Sequence, residues 1–207
     1  MLRFMTATAF LLAQVPGWAQ WVDLIDKKLD NWESIGDGVW TVMRDGTLLG
    51  QRELKSALNQ AWLYTRKDYG QFDLHVEYWT RLHGNSGVSI RDTSRARYAV
   101  GKAHDPQRTP SHVGYEIQIS MGYTEDKYPS GSVYLFDQAK IKPQIENDWN
   151  SLDIESRNEI IRVKVNGQLV SQYPGEPGRP KAGPIGLQLH DPSSIAMFRN
   201  IRIREIK

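Results

Sequence analysis

Several polar side chains in this sequence alternate with apolar ones, and their types suit the binding and chemistry of sugars. Every second side chain of an extended strand lies on the same face. One strand-like run therefore places Glu116 and Gln118 together, and another places Gln188 and His190 together. Carboxylates and carboxamides pair with neighbouring hydroxyl groups, and an imidazole exchanges its proton near neutral pH.

The same alternation adds further polar side chains to this set. Arg91 faces away from the apolar positions of its run, and His75, Glu77 and Trp79 do so in another run. An arginine can hold an oxyanion, and an aromatic face can stack on a sugar ring. If these runs are neighbours in one sheet, their polar face forms a sugar-binding hollow. The alternative is an ordinary solvated sheet face.

The elements that position these residues are predicted to be strands. Beyond residue 20 the apolar residues alternate in short runs broken by glycine and proline, and helical periodicity is scarce. About eleven such runs, one of them over 131–136, favour a sandwich or jelly roll over a mixed α/β fold. Asn166 and Gly167 predict a two-residue hairpin turn because both tolerate positive φ. Residues 33–37 and 53–60 are candidates for short helical pieces.

Residues 1–19 are typical of an export signal. Arg3 supplies the positive start, residues 4–15 are mostly apolar, and Ala19 is a small residue after which we expect cleavage. A single mature domain over 20–207 is expected. The apolar run is shorter than the ~18 residues that a membrane span needs, so no span is predicted. As the alternative, the same stretch forms a buried or membrane-resting helix.

Charge and cysteine content exclude some partners. The net charge is +2 with acids and bases interspersed, so the sequence offers no basic stripe for a nucleic acid. The chain has no cysteine, which excludes disulfides and a cysteine-linked lipid anchor. With an export signal, this composition favours the bacterial periplasm or the cell exterior.

Five motifs, in this order along the chain, resemble those of the 3-keto-disaccharide hydrolase domain family. They are NSGVSIR at 85–91, GYEIQI at 114–119, WN at 149–150, GLQLH at 186–190 and FRNIRI at 198–203. The opening LID at 24–26 is also similar, although Lys27 stands where a glycine commonly follows. The resemblance covers about 20 to 207. It implies an all-β, concanavalin A-like jelly-roll β-sandwich of two antiparallel sheets, whose concave sheet binds a sugar.

The resemblance also implies activity on glycosides that a separate sugar 3-dehydrogenase has oxidised at C3. A ketone at C3 acidifies the hydrogen on C2, so that a base can remove it and the C1 substituent can leave. Water can then add back, which gives net hydrolysis. Such a reaction needs a base, a group that stabilises the enolate oxygen, and an acid for the leaving oxygen.

Six polar residues fall on the family's motifs, namely Asn85, Arg91, Glu116, Gln118, Gln188 and His190. We expect His190 or Glu116 to act as the base. Arg91 is the expected oxyanion partner. The remaining three are expected to hold hydroxyl groups, with Glu77 and Trp79 as further substrate contacts.

The sequence leaves four questions open. A non-catalytic sugar-binding module can use the same fold. A conventional retaining glycosidase needs a second carboxyl group about 5 Å from Glu116, which Glu77 could supply from another strand. No cofactor is certain, although His75, Glu77, Glu116 and His190 could form a divalent metal site. The basic segment 92–112 is either a solvated loop or a lid over the site.

Overall fold

The computed structural model describes residues 19–52, 59–122 and 125–206. The strands, in chain order, are β1 (Val22–Asp23), β2 (Trp32–Ile35), β3 (Gly38–Val42), β4 (Leu48–Arg52), β5 (Ala61–Thr65), β6 (Phe72–Thr80), β7 (Asn85–Ile90), β8 (Tyr115–Ser120), β9 (Asn150–Arg157), β10 (Ile160–Val165), β11 (Gln168–Tyr173), β12 (Ile185–Leu189) and β13 (Ile195–Glu205). One short helix, α1 (Pro110–Val113), and a 3₁₀ turn at Gly101–Ala103 interrupt them. No helix among the described residues is long and apolar enough to cross a membrane.

The strands form two antiparallel sheets. The larger sheet has eight strands in the order β11-β10-β9-β6-β13-β4-β3, with β1 paired to β13. The smaller sheet has five strands in the order β2-β5-β12-β7-β8. The predicted all-β jelly-roll sandwich is confirmed.

The core lies between the sheets and follows the alternation predicted from the sequence. Ile117 and Ile119 of β8 and Leu187 of β12 are fully buried against side chains of the larger sheet, such as Leu74 and Phe198. Burial of such side chains removes apolar surface from water and stabilises the sandwich. The intervening side chains of β8 and β12 therefore lie on the outer face of the five-stranded sheet.

The hairpin between β10 and β11 is confirmed. Asn166 and Gly167 adopt φ angles of 49° and 76°, as a two-residue turn with two left-handed positions requires. Pairing of Val165 with Gln168 closes the hairpin directly around them.

Several local predictions are wrong or lie outside the described residues. Residues 33–37 contain most of β2 rather than a helical piece, because Trp32 packs into the core at the start of an extended segment. The segment 131–136 forms turns held by isolated bridges at Val133, not a strand. Residues 53–58 of the second helical candidate and residues 1–18 of the expected export signal lie outside the described ranges.

The long segment after β7 packs on the outer face of the five-stranded sheet. Ala96 and Ala99 contact the stacked rings of Trp62 and Tyr64, which are fully buried. Asp92 fixes the start of this segment, because its carboxylate accepts hydrogen bonds from the Tyr64 hydroxyl at 2.8 Å and from the Ala96 amide at 2.8 Å. Part of this sheet face is thereby removed from solvent.

Close packing of Tyr64 requires a glycine on the neighbouring strand. A Cβ added to Gly186 would lie 2.4 Å from the Tyr64 ring, so we expect Gly186→Ala to destabilise the fold by roughly 1–3 kcal/mol, as overpacking of a core does. Gly70→Ala is the matched control, because nothing lies within 4 Å of a Cβ at that position. Urea unfolding midpoints measure both variants. Equal midpoints for the two variants would contradict this packing.

Candidate functional site

A pocket of about 210 Å³ opens on the outer face of the five-stranded sheet, between the ends of β7, β8 and β12 and the segment 92–112. It is lined by Gln60, Asn85, His104, Pro106, Thr109, Ser111, His112, Glu116, Gln118, Tyr134, Leu135 and His190. The structure therefore brings four of the predicted site residues together. These are Asn85, Glu116, Gln118 and His190.

Glu116 is the buried carboxyl group of this pocket. Glu116 is only 4 % exposed, although strand alternation turns its side chain away from the core. Gly87 on the paired strand makes this burial possible, because a Cβ there would lie 2.8 Å from Glu116 Oε1. Gln188 lies on the other side of Gly87, where the same Cβ would be 3.3 Å from its Oε1. The glycine therefore leaves the space that these two side chains share.

The surroundings of Glu116 favour its protonated form. Burial raises the pKa of Glu116 to about 8, and the negative charge of Asp92 acts in the same direction. The nearby Gln188 amide partly offsets this shift in pKa, but neither polar atom of that amide makes a hydrogen bond of good geometry. At neutral pH the Glu116 carboxyl is therefore mostly uncharged and can donate a hydrogen bond.

His190 lies at the end of β12, with its imidazole at the pocket wall. Its Nδ1 is 2.9 Å from Asp191 Oδ1, and because a carboxylate only accepts, Nδ1 carries a hydrogen, so that in the neutral ring the lone pair is on Nε2. The backbone oxygen of His190 accepts a hydrogen bond from Arg52 Nη1 at 3.1 Å. Arg52 in turn is paired with Asp37 at 2.8 Å. Strand alternation could not reveal this support, because Arg52 comes from β4 of the other sheet.

The segment 92–112 contributes two imidazoles to the pocket, His104 and His112. His112 Nδ1 is 2.8 Å from Thr109 Oγ1. Partial burial and the positive charge of Arg179 lower the pKa of His112, so its ring is neutral at neutral pH. The segment therefore forms one wall of the pocket, where the sequence indicated only a basic loop or a lid.

Arg91 lies elsewhere, so the expectation that it shares this face is wrong. Its φ of 60° is left-handed and breaks the alternation at the end of β7. The side chain is buried between the sheets, where Nη2 donates to Ser156 Oγ at 2.7 Å. Strand alternation could not reveal this, because alternation holds only while the backbone stays extended.

Glu77 and Trp79 also lie elsewhere, and their predicted place beside Glu116 is wrong. Both belong to β6, on the outer face of the eight-stranded sheet, so the core separates them from the pocket. Glu77 accepts hydrogen bonds from Arg199 and Asn200, each at 2.6 Å. Alternation along one strand could not show which of the two sheets that strand joins.

The prediction for Gln188 is correct for the sheet face but not for the pocket. It faces the same side as Glu116, but it is fully buried and does not line the pocket. The structure therefore places it beneath Glu116 rather than where a substrate hydroxyl could reach it.

The proposed metal site is not assembled. His75 lies with Glu77 on the other sheet, where its Nδ1 is 2.6 Å from Asp153. In the part of the chain that the structure describes, no group of three or more His, Cys, Asp or Glu side chains is placed to hold a metal ion.

Comparison with known protein families and structures adds to this geometry. Residues 20–204 match the family model of the 3-keto-alpha-glucoside-1,2-lyase-like domain. No curated protein matches the sequence. A crystal structure from Parabacteroides distasonis ATCC 8503, named "Putative glycosyl hydrolase", superposes with a TM-score of 0.69 at 24% identity and covers 90% of this chain and 100% of that one.

Two further solved structures share the fold at lower identity. The carbohydrate binding module CBM66 from Bacillus subtilis has a TM-score of 0.58 at 14% identity, over 84% of this chain and 96% of that chain. The Bacillus licheniformis beta-glucanase has a TM-score of 0.58 at 13% identity, over 93% and 100%. At such identities the likeness concerns the fold alone.

Protonated Glu116 makes a testable contribution to stability. Its carboxyl ionises near 4.5 when unfolded and near 8 when folded, so the stabilisation is complete below the lower pKa and is lost as pH rises through the higher one. Glu116→Gln cannot ionise, so we expect its Tm, relative to the parent protein, to rise steadily between pH 5 and pH 8. Glu146→Gln, at an exposed position outside the pocket, is the matched control for the same change of side chain. A Tm difference that stays constant over this range would contradict the raised pKa.

Proposed function

The chain belongs to the 3-keto-alpha-glucoside-1,2-lyase-like domain family, and we propose that it cleaves glycosides whose sugar carries a ketone at C3. Removal of the C2 proton gives an enolate, and the C1–O bond then breaks to release the leaving group. Addition of water across the new double bond completes net hydrolysis. A separate oxidation at C3 must supply the substrate, and we propose that both steps take place outside the cytoplasm.

The observation that carries this proposal is the buried Glu116 carboxyl at the pocket, where burial raises its pKa to about 8 and favours the protonated form. An enolate forms with its negative charge on the C3 oxygen, and a neutral acid held in place away from bulk solvent can donate a hydrogen bond to that oxygen. Glu116 thus takes the part that the sequence had suggested for Arg91. Gln118 and Asn85, whose side chains lie 3.5 Å apart, are available for sugar hydroxyl groups.

The base in this proposal is His190. Asp191 holds the ring in the tautomer that leaves Nε2 free, which is the arrangement that a general base requires. His112, whose pKa is lowered by partial burial and by Arg179, is a second imidazole in the same pocket. The imidazoles can accept a proton and the protonated Glu116 carboxyl can donate a hydrogen bond.

The competing functions are weaker on specific grounds. Of the described residues that line the 210 Å³ pocket, Glu116 is the sole carboxylic acid, so a retaining glycosidase would lack its second carboxyl group there. Asp92, a buried carboxylate whose charge acts on Glu116, already accepts hydrogen bonds from Tyr64, Ser94 and Ala96. The fold also permits a non-catalytic sugar-binding module, but such a module needs no buried neutral acid.

Turnover of a 3-keto-glucoside in D₂O tests the proposal. We expect the parent protein to release the leaving group, and to exchange the C2 hydrogen for deuterium whenever the enolate returns to substrate. His190→Ala should lower kcat by roughly a hundredfold or more, because loss of a general base has about that effect. NMR spectroscopy follows both the product and the exchange.

Variants of Glu116 separate the two parts that this residue could play. Glu116→Gln keeps a hydrogen-bond donor and should retain more activity than Glu116→Ala. If Glu116 were instead the general base, both changes would remove the base and lower kcat equally. Glu146→Gln, on the exposed surface, should behave as the parent does. Sugar binding without any turnover or exchange would instead favour the binding module.

A further inference from the structure

A second cavity, of about 510 Å³, adjoins the pocket described above. Three residues line both cavities, and they are Asn85, Gln118 and Tyr134. The second cavity is further lined by Ser120, Glu125, Asp126 and Lys127. The two cavities therefore form one cleft, with the three shared residues at the junction.

The direction of this cleft follows β8. Glu116, Gln118 and Ser120 alternate along one face of the strand, so their Cα atoms are spaced by about 6.4–6.8 Å. Glu116 lines the first cavity, Gln118 lines both, and Ser120 lines the second. When the keto sugar contacts Glu116 and the glycoside extends along β8, the C1–O bond lies near the junction and the leaving group in the second cavity.

Tyr134 is the group at the junction that can transfer a proton, because the amides of Asn85 and Gln118 do not ionise. Its backbone N–H donates to the backbone oxygen of Glu116 at 2.8 Å, and its ring packs edge-on against the Tyr128 ring with centroids 5.0 Å apart. Leu135 follows with a left-handed φ of 75°, which separates Tyr134 in the cleft from Phe136 against the core. The turn at this point therefore fixes the phenol ring over the cleft.

We propose that Tyr134 donates its hydroxyl proton to the leaving oxygen when the glycosidic bond breaks. This assignment rests on the proposed function. The electron pair of the enolate forms the C1–C2 double bond and restores the C3 ketone, while the C1–O electron pair stays on the leaving oxygen and takes the proton of Tyr134. The base holds the proton taken from C2, and after the alcohol leaves, water in the open cleft relays that proton from the base to the tyrosinate, which regenerates both groups. The products are the unsaturated keto sugar and the free alcohol.

The electrostatics of the cleft keep Tyr134 ready for this step. Partial burial and the negative charge of Asp126 raise the pKa of Tyr134, so its hydroxyl group keeps its proton until the leaving oxygen develops charge. Asp126 also holds the wall of the second cavity, because it accepts hydrogen bonds from the Ser120 hydroxyl and from the Tyr128 amide. The wall carries two acidic side chains, Glu125 and Asp126, and one basic side chain, Lys127, and all of them can bind the hydroxyl groups of a leaving sugar.

Two substrates with different leaving groups test the assignment. The leaving group of a p-nitrophenyl 3-keto-glucoside departs as the stable p-nitrophenolate anion and needs no proton. The alkoxide leaving group of an alkyl 3-keto-glucoside or of a 3-keto-disaccharide does need one. We expect Tyr134→Phe to lower kcat on the latter two by roughly a hundredfold or more and to change kcat on the p-nitrophenyl substrate little. Exchange of the C2 hydrogen should persist in this variant, because proton abstraction precedes departure of the leaving group.

Tyr128→Phe is the matched control, since its ring contacts Tyr134 but lines neither cavity. It should retain activity on both kinds of substrate. Equal losses on both substrates in Tyr134→Phe, or no loss on either, would overturn the assignment of Tyr134 alone. A parent protein that turned over neither substrate would overturn the proposed function and this assignment with it.

Discussion

The arrangement of this site depends on the removal of one carboxyl group from water. Glu116 lies on a sheet face that would ordinarily be solvated, yet it is buried because Gly87 offers no side chain and because the segment 92–112 covers its surroundings. A carboxyl group in such a place keeps its proton rather than carry an unpaired charge. The hydrogen-bond donor that the pocket offers to a substrate follows from this constraint.

The same covering segment links the fold to the chemistry. Asp92 is fully buried and joins the Tyr64 hydroxyl to the backbone that begins the segment, while its negative charge raises the pKa of Glu116. Arg179 donates to the backbone oxygen of Ser111 at 3.0 Å and lowers the pKa of His112 from the far side of α1. The contacts that hold the wall in place therefore also set the protonation of the groups it encloses.

The sequence predicted the sandwich and part of the site well, and the physical reasons for its failures are local. The resemblance to the 3-keto-disaccharide hydrolase family is confirmed by the match over residues 20–204. Alternation placed Glu116 and Gln118 correctly, since β8 is extended throughout, but it failed at Arg91, where a left-handed residue turns the side chain inward. Alternation also could not show which sheet β6 joins, so the prediction that Glu77 lies beside Glu116 was wrong. Tyr134 gave no signal, because a turn rather than a strand brings it to the cleft.

The protonation state of Glu116 can be measured without any substrate. A ¹³C NMR titration that follows the side-chain carboxyl carbon of glutamate, with Glu116→Gln used to assign its signal, reports this directly. We expect the signal to titrate with a midpoint of about 8. A midpoint near the ordinary glutamate pKa of 4.5 would show a charged carboxylate at neutral pH and would contradict the protonated state of Glu116.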